Sequence, residues 1–222
     1  MSSRHPVLLI HGINDTEAVF HSMSRYLNRF GWLVHSLSLT PNNGHLGLEH
    51  LAAQVAHYVA RNFAPDQPFD LVGFSMGGIV SRYYVQRLGG IQRVKRFVTI
   101  ASPHQGTWIA YGSQRPGCVQ MRPGSPFLQD LNQDVEMLEQ LHFTSIWTPL
   151  DLMIVPANSS LMPVGQSVPV WVPSHAWMVS HPYSLQAVAA SLKTSLPSSS
   201  SSDRQSEQNR DRQKWQMDGS RT

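Results

Sequence analysis

The most constraining feature of this 222-residue chain is the hexapeptide Gly-Phe-Ser-Met-Gly-Gly at residues 73–78. It follows a short apolar run and precedes a helix-like run at residues 79–88. A serine placed in this way, with glycine two residues to either side, is typical of a nucleophile elbow, a strand-to-helix turn so sharp that the serine takes a positive φ. Gly73 and Gly77 fit because the residues around the turn crowd each other. The hexapeptide therefore predicts a sharp turn that presents Ser75 at a helix N-terminus.

The rest of the chain alternates between strand-like and helix-like segments. Short apolar runs predict strands at residues 7–10, 32–37, 69–72, 94–100, 143–147 and 168–172. Apolar residues at helical spacing predict helices at residues 16–30, 46–62, 79–88 and 183–192. Asn14 or Asp15 is the expected cap of the first helix. Such alternation predicts one α/β domain with a mostly parallel sheet and helices on both faces.

Residues 108–142 interrupt this alternation with a segment rich in glycine and proline, and short helical pieces are expected at residues 127–131 and 135–141. Ligands of open α/β sheets bind beyond the carboxyl ends of the strands, so we expect this segment to overhang Ser75 as a small cap. Its large apolar residues either form a rim that meets lipid or pack on the underside of the cap. These residues are Trp108, Ile109, Tyr111, Phe127, Leu128 and Leu131.

The composition changes near residue 196. Residues 197–222 begin with a serine run and continue as polar and charged sequence, which cannot bury enough apolar surface to order itself. We therefore predict a catalytic domain at residues 1–196 and a disordered polar tail at residues 197–222. No internal repeat is apparent.

Charge and composition exclude several classes of function. The net charge is +3 and no basic block is present, so nucleic acid is not an expected partner. The chain has no histidine or cysteine pattern typical of a metal site and no glycine-rich phosphate loop, and we expect no metal and no cofactor. The single Cys118 agrees with a reducing compartment. The first apolar run is too short for a signal peptide, which favours a cytoplasmic protein and leaves open a contact with a membrane surface.

A serine hydroxyl becomes a nucleophile only beside an imidazole base that a carboxylate orients. After a nucleophile elbow, the acid and then the histidine follow in the chain. Asp151 follows the predicted strand 143–147, and His175 follows the last predicted strand. The alternatives are that Asp151 only caps a turn and that His181 is the base.

The oxyanion of an acyl-transfer reaction needs two backbone N–H donors. One is expected from Met76, the residue after the serine, and the other from Ile13 in the loop after the first strand. Gly12 lets that loop approach closely. His11 precedes the serine in the chain and abuts a strand, and we interpret it as a buried packing histidine that supports the loop.

A second polar loop, residues 101–107, follows the strand at residues 94–100 and has the sequence Ala-Ser-Pro-His-Gln-Gly-Thr. It is expected to border the site. His104 and Gln105 have two equally good interpretations: they hydrogen-bond the elbow or the substrate, or they belong to a purely structural loop.

In their order along the chain, these motifs resemble those of the small α/β-hydrolase lipases, over about residues 5–195. The segment Ser-Pro-His-Gln-Gly-Thr at residues 102–107 is more specific than the elbow and is similar to that of bacterial triacylglycerol lipases. The chain departs from the family at Phe74, where many relatives have histidine. The resemblance implies a single-domain α/β-hydrolase fold and hydrolysis of carboxylic esters of acylglycerols.

These residues together predict a serine lipase or esterase that acts through an acyl-enzyme on acylglycerols or membrane glycerolipids. Its expected partner is an acyl-ester lipid substrate. An acyltransferase with the same triad and a soluble short-chain carboxylesterase are the alternatives. A binding module without activity is disfavoured, since the serine, acid, histidine and glycine-rich turn are all present. Acyl length, headgroup and oligomeric state are left open.

Overall fold

The computed structural model describes residues 4–194, so the predicted tail lies outside the described part. Six strands form one sheet, in which every neighbouring pair is parallel and the order is β2-β1-β3-β4-β5-β6. The strands are β1 Val7–Ile10, β2 Val34–Leu37, β3 Phe69–Phe74, β4 Val94–Ile100, β5 His142–Trp147 and β6 Gln166–Pro169.

Helices connect the strands and cover the sheet. The α-helices are α1 His21–Arg29, α2 Leu48–Asn62, α3 Met76–Arg87, α4 Pro116–Gln120, α5 Pro126–Gln133 and α6 Pro182–Ser191. Short 3₁₀ helices lie at Glu17–Phe20, Gly90–Gln92, Trp108–Gly112, Val135–Gln140, Ala157–Ser160 and His175–Val179.

The two faces of the sheet carry separate cores. Side chains of successive strand residues point to opposite faces, and β1 shows this directly. Leu8 and Ile10 pack with α2, α3 and α5 on one face, and Val7 and Leu9 pack with α1 and α6 on the other. All four residues of β1 are completely buried, as expected for a central parallel strand.

The order of the strands in the sheet determines where a crevice opens. The chain passes from β1 outward to β2 and then returns to β3 on the other side of β1. Loops that leave β1 and β3 therefore diverge, which opens a crevice at the carboxyl ends of these two strands. The loop with Ile13 leaves β1, and Ser75 directly follows β3.

Most predicted elements differ only at their ends, and two differ in type or position. The first helix starts as the 3₁₀ turn at Glu17–Phe20, and its cap is neither Asn14 nor Asp15, because the Thr16 hydroxyl accepts the backbone N–H of Ala18. The last strand is shorter than predicted and displaced toward the N-terminus, at Gln166–Pro169. Beyond Pro169, the N–H of Val170 still donates to the carbonyl of Trp147 at 2.8 Å, Val172 is buried in the core and Trp171 is exposed.

The segment at residues 108–142 lies over the α2 and α3 face and is tied to α3 by buried polar groups. Arg82 is completely buried and donates to the carbonyl of Leu131 at 2.8 Å. Gln86 donates to the same carbonyl at 2.8 Å. Arg87 forms an ion pair with Asp134 at 2.6 Å and lowers the pKa of that carboxyl through the hydrogen bond. These contacts anchor α5, so the cap is a fixed part of the domain.

The apolar residues of the cap divide between the two interpretations given above. Trp108, Ile109 and Tyr111 are exposed, whereas Leu128 and Leu131 are buried in the core. Phe127 stacks on Tyr83 of α3, with ring centroids 5.4 Å apart. The 3₁₀ turn at Trp108–Gly112 thus forms the exposed rim, and α5 forms the packed underside.

Within residues 4–194, no helix is long and apolar enough to cross a bilayer. The same residues contain no group of three metal-ligating side chains.

Candidate active site

The turn at Ser75 is a strained strand-to-helix turn. Ser75 has φ 54° and ψ −124°, which is rare for a residue with a side chain, and α3 begins at the next residue. Its backbone N–H donates to the carbonyl of Ile100 at 2.8 Å, which ties the turn to β4. The strain is held by hydrogen bonding and packing on both sides, so the hydroxyl is presented in one position.

Gly73 and Gly77 must lack a side chain because backbone atoms of neighbouring segments approach them closely. A Cβ on Gly73 would lie 2.5 Å from the Cα of Gly78, and a Cβ on Gly77 would lie 2.3 Å from the carbonyl oxygen of Ile10. The atoms nearest to Gly77 belong to Ile10 and His11, while a Cβ on Gly73 would also lie 2.7 Å from the carbonyl oxygen of Gly77. These contacts let α3 lean directly against the sheet.

The structure brings Ser75, His175 and Asp151 into one hydrogen-bonded row. His175 Nδ1 lies 2.8 Å from Asp151 Oδ2, and His175 Nε2 lies 3.0 Å from Ser75 Oγ. Because an ionised carboxylate only accepts hydrogen bonds, Nδ1 is the protonated ring nitrogen and Nε2 accepts the serine hydroxyl. This is the tautomer in which the imidazole can remove a proton from the serine.

The Asp151 carboxylate is fixed on its other oxygen as well. Oδ1 accepts the backbone N–H groups of Met153 at 2.8 Å and Ile154 at 2.9 Å. Asp151 is 5% exposed, so these bonds and the one to His175 replace water around the charge. The contacts are compatible with both interpretations of Asp151, because one oxygen caps the turn while the other faces the histidine.

His175 lies on the 3₁₀ turn after β6, six residues beyond Pro169, and not three residues past the strand as the longer predicted strand implied. Its ring packs on Phe74, with centroids 5.0 Å apart. His181 is elsewhere: it caps α6, where its Nδ1 accepts the backbone N–H of Tyr183 at 3.3 Å. Phe74, the position at which many relatives have histidine, therefore packs on the ring of His175.

The two expected oxyanion donors flank Ser75. The N–H of Met76 belongs to the first turn of α3, where backbone donors have no partner inside the helix. Ile13 lies in the loop after β1, which runs close to the serine, since a Cβ on Gly12 would be 3.1 Å from Ser75 Cβ. Both Ile13 and Ser75 line the same cavity.

His11 holds the Ile13 loop in place. It is completely buried; its Nδ1 donates to the carbonyl of Gly12 at 2.8 Å, and its Nε2 accepts the N–H of Leu39 at 2.8 Å. Both ring nitrogens are therefore used in joining the loop after β1 to the segment after β2.

The loop at residues 101–107 contacts β4 through His104 and the cap through Gln105. His104 is fully buried, its Nε2 lies 2.9 Å from the hydroxyl of Thr99, and burial lowers its pKa well below the ordinary value, so the ring is neutral. Gln105 accepts a hydrogen bond from Asn132 in the cap. Both contacts favour the structural interpretation of these residues.

Two residues at the site were missed by the sequence reasoning. Thr107 accepts the N–H of Val155 at 3.0 Å and donates to the carbonyl of Met153 at 2.8 Å, so it supports the loop of Asp151. Its place in the motif at residues 102–107 was the available signal. Asp15, interpreted only as a helix cap, lines the cavity beside Ser75.

A cavity of about 690 Å³ opens over the serine. Its wall beneath the cap is apolar and includes Ala110, Cys118 and Met121. Around the mouth, four exposed apolar side chains continue this wall to the surface: Ile109, Leu150, Leu152 and Met153. The arrangement can hold an apolar chain with one end at the serine hydroxyl.

Comparison with known families agrees with this geometry. The model of the palmitoyl protein thioesterase family matches residues 6–121, just over half of the chain. The matched segment extends from β1 past α4 and includes the loop of Ile13 and the turn of Ser75, while Asp151 and His175 lie beyond it.

Solved structures share the fold. Bacillus licheniformis lipase BlEst2 in its mature form is 14% identical with a TM-score of 0.70, covering 87% of this chain and 94% of that one. Aspergillus fumigatus lipase B is 16% identical with a TM-score of 0.75, covering 87% and 54%. A bacterial membrane phospholipase A described as a virulence factor is 19% identical with a TM-score of 0.60, covering 86% and 79%. The chain therefore has the α/β-hydrolase fold of lipases and esterases.

Proposed function

We propose that this chain, which belongs to the palmitoyl protein thioesterase family, is a serine hydrolase that cleaves carboxylic esters of acylglycerols or membrane glycerolipids. The observation that carries the proposal is the row of hydrogen bonds from Ser75 through His175 to Asp151, at 3.0 and 2.8 Å. The cavity above the row, with its apolar wall, supports an acyl chain as the group transferred.

In this mechanism His175 Nε2 takes the proton of Ser75 while the serine oxygen attacks the ester carbonyl. The N–H groups of Ile13 and Met76 hold the oxyanion, and Asp151 stabilises the charged imidazole. His175 then gives the proton to the leaving alcohol, which departs and leaves the acyl group on Ser75. Water, activated by the same histidine, hydrolyses the acyl-enzyme and restores the serine. His11, Gly12, Gly73 and Gly77 support this geometry without touching the reacting atoms.

The first test compares the wild type with Ser75→Ala on short- and long-chain p-nitrophenyl esters. We expect hydrolysis that extends to long chains and is lost in a variant that remains folded by circular dichroism. Equal rates in both proteins would refute the proposal. Activity confined to short chains would instead assign a soluble carboxylesterase.

The family match favours a second substrate class, the thioester, because the family is described as palmitoyl protein thioesterase. The same triad serves both classes, since the acyl-enzyme is identical and only the leaving group differs. Parallel assays with a long-chain acyl ester and the matching acyl thioester separate them. An acyltransferase with this triad would instead form new esters when glycerol is added as acceptor.

We further propose a peripheral contact with the lipid surface through the rim of the cavity. Leu152 is 80% exposed and Trp108 is 59% exposed, and solvated side chains of this size are suited to an apolar surface. Among the described residues that line the cavity, Asp15 is the one acidic side chain, and it is half-buried. A rim of this kind would place the cavity mouth against the lipid.

A further inference from the structure

One charged side chain of the cavity has no part in the mechanism above. Asp15 lines the cavity together with Ser75 and His175. Its backbone is pinned, because its N–H donates to the carbonyl of Gly12 at 3.4 Å and its own carbonyl accepts Asn42 Nδ2 at 2.6 Å. The loop therefore holds the carboxylate beside the nucleophile in a defined position.

The Asp15 carboxylate does not cap the following turn and accepts no hydrogen bond from the described residues. Thr16 provides the cap of the turn that follows. Among residues 4–194, no side chain or backbone group donates a hydrogen bond to the Asp15 carboxylate, although the residue is half-buried. Burial raises the pKa of Asp15, against the opposing effect of His11 and His175. A partly desolvated acceptor facing a cavity is ready to take a donor from a bound molecule.

The contacts of Gly12 place Asp15 on one side of the serine. A Cβ on Gly12 would lie 3.1 Å from Asp15 Oδ2, 3.1 Å from Ser75 Cβ and 3.4 Å from Phe74 Cδ1. Phe74 in turn packs on the ring of His175. The carboxylate thus belongs to the side of the cavity that holds the imidazole.

The opposite side is apolar. A Cβ on Gly44 would lie 3.0 Å from Cys118 Sγ and 3.3 Å from Ile13 Cδ1, so the Ile13 side chain faces the cap. Because His175 must protonate the leaving group, the leaving group lies on the imidazole side and the acyl chain lies under the cap. Asp15 therefore faces the leaving group.

No lysine or arginine of the described residues lines this cavity. A phosphate on the substrate would therefore meet the Asp15 carboxylate with no basic side chain between them. We propose that Asp15 determines specificity for the leaving group: it accepts hydrogen bonds from a neutral leaving alcohol that carries further hydroxyl groups, such as glycerol, and repels a leaving group that carries phosphate. This inference rests on the proposed ester hydrolysis at Ser75 and deepens it, since it selects neutral glycerolipids over phosphate esters.

The test uses two substrates with the same acyl chain, 1-lauroylglycerol and 1-lauroylglycerol 3-phosphate, with released fatty acid as the readout. The wild type should favour the neutral ester by at least about tenfold in kcat/KM, the size of effect that one nearby like charge produces in a partly screened site. Asp15→Asn, which keeps the shape and removes the charge, should raise kcat/KM on the phosphate ester by about tenfold. A gain of activity cannot come from loss of folding.

The control is Glu17→Gln, the same change of charge two residues away on an exposed side chain outside the cavity. It should leave the preference unchanged. If Asp15→Asn cleaves the phosphate ester no faster than the wild type, or if the wild type cleaves both esters equally, the inference is overturned. Failure of the proposed function gives a different result, in which neither ester is hydrolysed or Ser75→Ala is as active as the wild type.

Discussion

Asp151 can orient His175 only while its second oxygen is free to accept the Nδ1 proton, because the first oxygen is occupied by two backbone N–H groups. Asp151→Asn would keep the side-chain shape but allow an amide NH₂ to face the ring, which favours the wrong tautomer. We expect kcat for p-nitrophenyl esters to fall by about 10⁴-fold with little change in thermal stability. Asp130→Asn, on an exposed ion pair with Arg87, is the control and should retain full activity. A loss smaller than about tenfold at Asp151 would contradict its proposed role.

Single residues also show where sequence reasoning stops. The sharp turn at Ser75 could be predicted because its neighbours in the chain specify a strand-to-helix turn. The two interpretations of His104 could not be separated, since its partner Thr99 lies on a strand and its burial depends on the packing of the whole loop. Asp15 was interpreted as a cap for the same reason, because an aspartate before a helix has two uses that look alike in sequence.

At the scale of elements, the elbow depends on direct contact between α3 and β1. A Cβ on Gly77 would meet the carbonyl oxygen of Ile10 at 2.3 Å, and the backbone there is fixed on one side by the sheet and on the other by helix α3. We therefore expect Gly77→Ala to lower the free energy of unfolding by at least about 1–3 kcal/mol, measured by urea denaturation. Gly112→Ala is the matched control, since a Cβ there meets nothing within 4 Å. Equal stability of the two variants would contradict this packing.

The rim can be tested as an element by itself. Leu152→Ser should slow hydrolysis of an emulsified or vesicle-bound ester several-fold, because less apolar surface would be buried at the interface. It should leave hydrolysis of a soluble short-chain ester nearly unchanged. Leu33→Ser is the matched control: Leu33 is 63% exposed but precedes β2, at the opposite edge of the sheet. Equal effects of the two changes on vesicle-bound substrate would contradict a rim that contacts lipid.

At the scale of the whole molecule, the predicted domain end can be tested by truncation. The described core closes with α6, and the carbonyl of Thr194 accepts Arg96 Nε at 3.0 Å and Nη2 at 2.8 Å, which ties the chain after α6 to β4. A chain that stops after residue 196 should therefore keep the melting temperature and the esterase activity of the full chain. Removal of residues 183–222 is the comparison, and it should destabilise the protein because it takes away α6. A lower melting temperature after the shorter truncation would place the domain end further along the chain.

Much of the architecture could be predicted because the alternation of apolar runs reflects two cores on one sheet. The fold class is confirmed, and the strands predicted at residues 7–10 and 94–100 have the same first and last residues in the structure. The last strand was predicted too far along the chain, since residues 170–172 are as apolar as a strand although the regular pairing with β5 ends at Pro169. Helix α4 carries too few residues and too little periodicity to be recognised, and its contact between Gly117 and the loop at Gly44 is visible only in the tertiary structure.

The sequence by itself determined the elbow, the α/β class and the chain order of Ser75, Asp151 and His175, because each depends on residues that are neighbours or on the order of strands. Only the tertiary structure decided which apolar residues of the cap are exposed, that His104 is buried, and that Asp15 faces the cavity. Those properties depend on groups that meet across loops far apart in the chain. The winding of the sheet, which parts the loops after β1 and β3, is the physical reason that a crevice opens between Asp15 and Ser75.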